Sequence, residues 1–265
     1  MRIEHDLPMR EYQAQPELSA SDVKAINENP DRWKTTRGRE RTPTPAMILG
    51  SATHAFILGD DDDVVALDVE NFRTVDARKA RDEALDAGKY PLTNDQHDQA
   101  VAMADAAKRN PAVARLIANG KSEVSFFTED PITGQPMRGR VDWVDEPVMR
   151  IVDFKTTDSA DPERFARQAG NMKYHVSGAH YGDSWGRHAG TEPWEVLFVL
   201  IEREYPHTTS VCRLGPGSLE LGRQALQRGI RRYRKLSLSD QWATPWPGIT
   251  TVDLPKYEFY AEDER

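Results

Sequence analysis

Asp142, Asp153 and Lys155 stand in GRVDWVDEPVMRIVDFKTT, residues 139–157, where most other residues are those of buried strands. An unpaired buried charge costs several kcal/mol, so these groups must compensate one another or serve a chemical purpose. Side chains alternate faces along a strand. Ile151, Asp153 and Lys155 therefore share one face and Val152 and Phe154 the other, while Arg138, Arg140 and Asp142 share a face opposite Met137, Val141 and Trp143. With DEPV as the turn, Asp142 falls opposite Ile151 and diagonal to Asp153. Diagonal neighbours lie roughly 7–8 Å apart at the backbone, close enough for carboxylates to converge.

Two carboxylates meeting at a partly buried point repel, so one takes a proton or both hold a cation. Mg²⁺, or Mn²⁺ in its place, suits such hard oxygen ligands, with substrate phosphates and water completing the shell. A neighbouring ammonium can orient or deprotonate water, or stabilise charge growing on a phosphate. The spacing leaves a second reading open, a structural ion pair of Asp142 or Asp153 with Lys155 or Arg140 at a sheet edge.

The elements that must position these groups follow from pattern. SEVSFFTE (122–129), QPMRGRVDWV (135–144) and PVMRIVDFKT (147–156) alternate as strands around the turn sequences DPITG and DEP, which predicts a three-stranded meander. Two more strands are expected at 193–203 and 208–214. Ser19 with Asp22 three residues on reads as a helix start, followed by a short helix through Trp33. The basic, Pro-containing 35–45 reads as an exposed loop, either simply solvated or touching phosphate. Residues 46–58 form a buried helix on which Gly50 and His54 share a face. On residue type alone His54 is more often a satisfied core histidine than a ligand. DDDD at 60–63 reads as a solvated loop, residues 74–118 as two helical pieces broken by GKYPLTND, and a further helix runs with interruptions from Asp161 to about His188. A last helix at 217–238 carries Arg231, Arg232, Arg234 and Lys235, and the tail from Trp246 is irregular. This order of helices, meander, helix, two strands and helix predicts an α/β or α+β sandwich.

Composition narrows the function classes. A formal charge of −8 argues against a protein that coats nucleic acid by bulk attraction, but it does not exclude a DNA enzyme, whose acidic metal ligands add negative charge that bound divalent ions offset. One cysteine, Cys212, excludes an internal disulfide and a four-cysteine zinc or iron-sulfur site within one chain. No run reaches the roughly 18 apolar residues of a membrane span, and MRIEHDLPMREYQ lacks the apolar core of a secretory signal. A cytoplasmic protein is expected.

The pattern Asp142, then Asp153-Phe154-Lys155 eleven residues on within VDFKTT, resembles the core of the PD-(D/E)xK nuclease superfamily. More narrowly, the chain is similar to the nuclease domain of exonuclease VIII, the RecE-type exonuclease of phage and prophage recombination. LSASDVKAINENPDRW, GSATHAFIL, DPITGQPMRGRVDW, VDFKTT and YHVSGAHYGD fall in that family's order. The resemblance implies a restriction-endonuclease-like α/β core with a central mixed sheet flanked by helices. A single nuclease domain would span 1–265, with a mainly helical part over 1–118 carrying His54, the catalytic sheet and helix over 122–214, and a helix and tail over 217–265. It implies metal ligation by His54, Asp142, Asp153 and the Phe154 carbonyl, with Lys155 as the catalytic lysine and Glu123 as an additional acidic residue. The family's Gln-x-x-x-Tyr element falls on Ser177 and Tyr181, a serine replacing the glutamine, and Tyr174 lies on the same helical face. Arg138, Arg140 and the basic helix at 231–235 are candidates for phosphate contact, an ordinary solvated face being the plainer reading of that helix.

The implied activity is Mg²⁺-dependent 5′ to 3′ hydrolysis of linear double-stranded DNA to mononucleotides. It leaves a 3′ single strand for a RecT-type annealing partner. The implied assembly is a ring-shaped homo-oligomer, with a tetramer as one option, whose topology would hold an acidic chain on its substrate. A Cas4-like or structure-specific endonuclease shares the same core, and an inactive nuclease fold kept as a DNA-binding scaffold is the alternative of another class. The cysteine count speaks against the iron-sulfur cluster common in the Cas4-like group.

Overall fold

Local signals at the N-terminal side of each helix set the chain's punctuation. In the computed structural model, which describes residues 1–39 and 42–255, a short strand β1 (Arg2–Glu4) and helix α1 (Met9–Ala14) lead into β2 (Leu18–Ser19). Ser19 and Asp22 form a reciprocal capping box that opens α2 (Ala20–Glu28). Asn29 then caps α3 (Pro30–Thr36), and Thr44 caps α4 (Pro45–Leu58), each with proline at the first turn. Part of the loop expected at 35–45 is thus helical, and Glu40 and Arg41 lie outside the described residues.

The acidic run folds as one 3₁₀ turn, Asp61–Asp63, before β3 (Val64–Leu67). Helix α5 (Val75–Asp86) follows, and then the segment read as a helix break is a strand, β4 (Tyr90–Thr93), parallel to β3 in a two-stranded sheet. Thr93 and Gln96 box the start of α6 (Asn94–Arg109), and α7 (Pro111–Leu116) completes the helical part.

The meander is present as β5 (Lys121–Glu129), β6 (Pro136–Asp145) and β7 (Arg150–Thr157). Helices α8 (Pro162–Asn171) and α9 (Tyr174–Ala189) lead to β8 (Glu195–Glu202), β9 (Thr209–Arg213) and the long α10 (Pro216–Ser239). The main sheet has seven strands in the order β1-β5-β6-β7-β8-β9, with β2 beside β6. It is mixed: β7 runs antiparallel to β6 and parallel to β8. The expected α/β architecture with a helix-flanked mixed sheet is the one observed.

Side-chain alternation sends the two faces of the sheet into separate cores. Val152, Phe154, Val199 and Ile201 pack against Ile48, Leu49 and Ala52 of α4 and Met103 of α6. Ile151, Phe198 and Leu200 pack against Phe165 of α8 and Trp185 of α9. A third cluster joins α2 and α10 through Val23, Ile26, Leu226 and Ile230. Each such large apolar side chain contributes about 1.5–3 kcal/mol.

Helices α9 and α10 approach backbone to backbone. A Cβ on Gly222 would stand 2.0 Å from the His175 carbonyl oxygen and 3.1 Å from Ala179 Cβ. Gly222→Ala is therefore expected to lower stability by about 3 kcal/mol, read as a shift of the urea midpoint at constant slope. An unmoved midpoint would mean that the helices do not pack this closely.

Candidate active site

The register of the meander differs from the expected one. The turn spans Glu146 to Met149, whose N–H donates to the Glu146 carbonyl at 3.0 Å, and Met149 takes a left-handed φ of 55°. Trp143 consequently pairs with Val152, Val144 with Ile151 and Asp145 with Arg150. Continuing that register sets Asp142 directly opposite Asp153 rather than diagonal to it. Asp142 Oδ2 accepts the Phe154 N–H at 2.7 Å, which ties the first carboxylate to the backbone of the second strand.

Strict alternation also fails at Asp142. Val141 and Val144 belong to one core and Trp143 to the other, so the strand changes face over these residues. Across from it, Glu123 has φ of 50°, a left-handed conformation that costs a non-glycine residue about 1–3 kcal/mol. Arg140 Nε donates to Glu123 Oε2 at 2.6 Å and holds the side chain there. Such local strain clusters at functional sites.

Asp153 is buried on the α9 side of β7, and Lys155 Nζ lies 2.7 Å from each of its carboxylate oxygens. The same ammonium donates to the Phe154 carbonyl at 3.2 Å and stands 5.3 Å above the Tyr174 ring. Burial pushes both aspartates above the usual carboxylate range. The Lys155 charge opposes this at each, while Glu123 adds to the rise at Asp142 and Asp142 to the rise at Asp153. Burial alone would pull Lys155 down, but Asp153 and Asp142 outweigh it and hold the ammonium protonated. Lys155 is thus arranged as a donor of positive charge.

His54 reaches the site from the opposite layer, on α4. Gly50, one turn earlier, permits this approach: a Cβ there would lie 3.2 Å from Thr156 Oγ1 on β7. His54 Nδ1 is 3.8 Å from Asp142 Oδ2, and its ring lies 5.8 Å from that of Phe154. Burial, reinforced by the Lys155 charge and opposed by Asp153, lowers the imidazole to about 4. A neutral imidazole keeps a lone pair available, so its contact with Asp142 is not an ion pair at neutral pH.

Of these groups His54, Glu123 and Asp142 line a cavity of about 340 Å³, together with Tyr12, Ser21 and Tyr181 among others. Arg138 and Arg140 also line it, but much of their donor capacity is used within the protein. Arg138 donates to the Gln15 carbonyl and faces Asp22 at 3.7 Å. Arg140 bonds Glu123, the Leu7 carbonyl at 2.6 Å and Ser125 Oγ at 3.2 Å. Both therefore also brace the cavity wall. Likewise Arg232 and Arg234 of the basic helix donate to the Asn27 and Thr133 carbonyls.

Tyr181 meets Phe126 edge-on at 5.9 Å beside the cavity, whereas Tyr174 stacks on Phe165 and Phe198 beneath Lys155. Two residues at the site had no sequence signal of their own. Lys24 of α2 donates to Ser177 Oγ at 3.3 Å, and His180 is buried with Nε2 3.0 Å from the Arg138 carbonyl. Nothing in SASDVKAINE separates Lys24 from an ordinary helix-surface lysine.

A family model described as a PDDEXK-like domain of unknown function, DUF3799, matches residues 16–246. The chain belongs to the DUF3799 family. Within that span Asp142 lies on β6 and Asp153-Phe154-Lys155 on the adjoining β7, the pattern in which the sequence resembles a PD-(D/E)xK core. The fold is similar to a candidate exonuclease from Eubacterium rectale at a TM-score of 0.68 and 14% identity, covering 97% of this chain and 99% of that one. A phage-related exonuclease from Haemophilus somnus 129PT aligns at a TM-score of 0.39 and 11% identity, covering 85% and 96%. No curated protein matches in sequence. No described helix is long and apolar enough to cross a membrane.

The donor set of this DUF3799 chain, two carboxylates, a neutral imidazole and a backbone carbonyl, fits a hard divalent cation in its chemistry. Among the described residues, however, no group of three or more His, Cys, Asp or Glu side chains is gathered at ligand spacing. Asp142 approaches His54, and its continued register faces Asp153, but Asp153 has both oxygens bonded to Lys155. The expected ligands are neighbours, and the ammonium serves as the counter-charge of Asp153.

Proposed function

We propose that this protein is a Mg²⁺-dependent nuclease that hydrolyses linear double-stranded DNA from the 5′ end. The observation that carries this reading is the meeting of Asp142, Asp153 and Lys155 at a strained point of the sheet beside an open cavity. The exonuclease name of the Eubacterium rectale structure, whose fold this chain shares, points the same way. Asp142, Asp153, His54 and the Phe154 carbonyl would hold the ion, which when bound activates water and offsets phosphate charge. Lys155 donates to the phosphate oxygen on which charge grows as water attacks phosphorus and the ester oxygen departs. Glu123 and Arg140 hold the strand in the shape that aims Asp142 at the site. Mononucleotide release, a ring-shaped assembly and transfer of the 3′ strand to a RecT-type annealing protein belong to the same proposal. An acidic chain needs some such topological hold on DNA.

The deciding experiment is digestion of a duplex labelled at its 5′ or its 3′ end, in Mg²⁺ and in EDTA, beside a covalently closed circle. The 5′ label should appear first as mononucleotide, only in Mg²⁺, and the circle should survive until it is linearised. Cutting of the intact circle would replace the exonuclease with an endonuclease. For His54→Ala, we expect Mn²⁺ affinity by calorimetry and the rate of hydrolysis each to fall about tenfold or more, since losing even a residue that only supports a metal ligand costs about 10–100-fold. Unchanged Mn²⁺ affinity would remove His54 from the ligand set.

A further inference from the structure

Tyr174 carries ammonium groups from two elements. Lys155 Nζ lies 5.3 Å from its ring centroid and Lys24 Nζ, from α2, lies 5.9 Å from it. Lys155 is neutralised by Asp153, but among the described residues Lys24 forms no ion pair. Its one hydrogen bond goes to Ser177 Oγ, whose own proton is directed at the Tyr174 carbonyl at 3.2 Å. An ammonium has three donors, so two of Lys24's remain for another acceptor.

Half-burying an ammonium without an ion-pair partner beside a second one is unfavourable, and the nearby Asp153 offsets this only in part, so a bound anion would be favoured there. Burial draws the Lys24 pKa down to about 8, Asp153 opposing and Lys155 adding to the fall. Lys24 also lies one turn along α2 from Ala20, which lines the cavity with His54 and Asp142. The positive site is therefore adjacent to the proposed reaction centre and separate from its ligands.

We propose that Lys24, oriented by Ser177, contacts the DNA phosphate next to the one that Lys155 faces, and so positions the strand for hydrolysis. This rests on the nuclease reading above. A phosphate oxygen there would accept from Lys24 Nζ, and Tyr174 would keep the lysine stem from turning away. A contact of this kind is blind to sequence.

The test is fluorescence anisotropy of a labelled linear duplex in EDTA, titrated at several salt concentrations with wild type, Lys24→Met and Lys24→Arg. Lys24→Met should weaken binding about tenfold on every sequence, as expected for a lost charged hydrogen bond. Its slope of log affinity against log salt should be shallower by about 0.9, the value for one phosphate contact. Lys24→Arg should restore both, and Mn²⁺ affinity should be the same in all three. Wild-type affinity and slope in Lys24→Met, with wild type itself binding and cutting DNA, would overturn the assignment of Lys24 alone. A weaker Lys24→Met with an unchanged slope, not rescued by arginine, would assign the loss to packing and overturn it as well. Wild type that neither binds nor cuts would remove the nuclease reading together with this one.

Discussion

Asp153→Asn is expected to reduce hydrolysis of linear duplex DNA by about a thousandfold or more, because a metal site supplies several kcal/mol of transition-state stabilisation and each 1.4 kcal/mol is tenfold in rate. The substitution is nearly isosteric. The asparagine Oδ1 still accepts from Lys155 Nζ, which lies 2.7 Å from the native carboxylate, and Val152 and Phe154 remain packed on the opposite face. What disappears is the negative charge that would bind the cation. The variant should therefore melt cooperatively, bind DNA in EDTA like wild type, and fail to bind Mn²⁺ tightly by calorimetry. A folded Asp153→Asn that cuts at the wild-type rate would show that these aspartates form only a structural pair.

Lys155→Met should have a comparable effect on rate with the opposite effect on the ion. Removing one preorganised donor to a developing charge costs about 10²–10³ in kcat. Methionine keeps an apolar stem over the Tyr174 ring, so the packing of α9 on the sheet is preserved. Both Asp153 oxygens, now bonded to the ammonium, would become available. Mn²⁺ should then bind at least as tightly as in wild type while single-turnover hydrolysis collapses. If affinity and rate fell together, Lys155 would be holding the ligands in place rather than meeting the phosphate.

The sequence was most legible where chemistry and local pattern coincide. The capping pair Ser19 and Asp22, the meander, the helix with His54 and the two strands expected at 193–203 and 208–214 all follow from turn residues and periodicity, and the structure has each of them. The register was not legible, because the turn after Asp145 uses a left-handed Met149 that no residue preference announces. The same holds for Glu123, whose backbone is bent against its type by Arg140 and the strand opposite. Strand β4 was hidden because Tyr90-Pro91-Leu92-Thr93 is short and contains a proline, and only its parallel pairing with Val64–Leu67 makes it a strand. Lys24 was hidden for a different reason: its meaning comes from Ser177 and Tyr174, some 150 residues away, and no local pattern encodes that meeting.

The position of β7 in the sheet has a kinetic corollary. It pairs with β8 along its whole length and with β6 over Arg150, Ile151 and Val152, and both its faces are covered, so these three residues lack an edge from which to fray. The amides of these three residues should exchange with deuterium only through global unfolding, far more slowly than those of β1 or the residues after α10. Mild heating or dilute denaturant would then leave this strand assembled until the whole sheet opens at once.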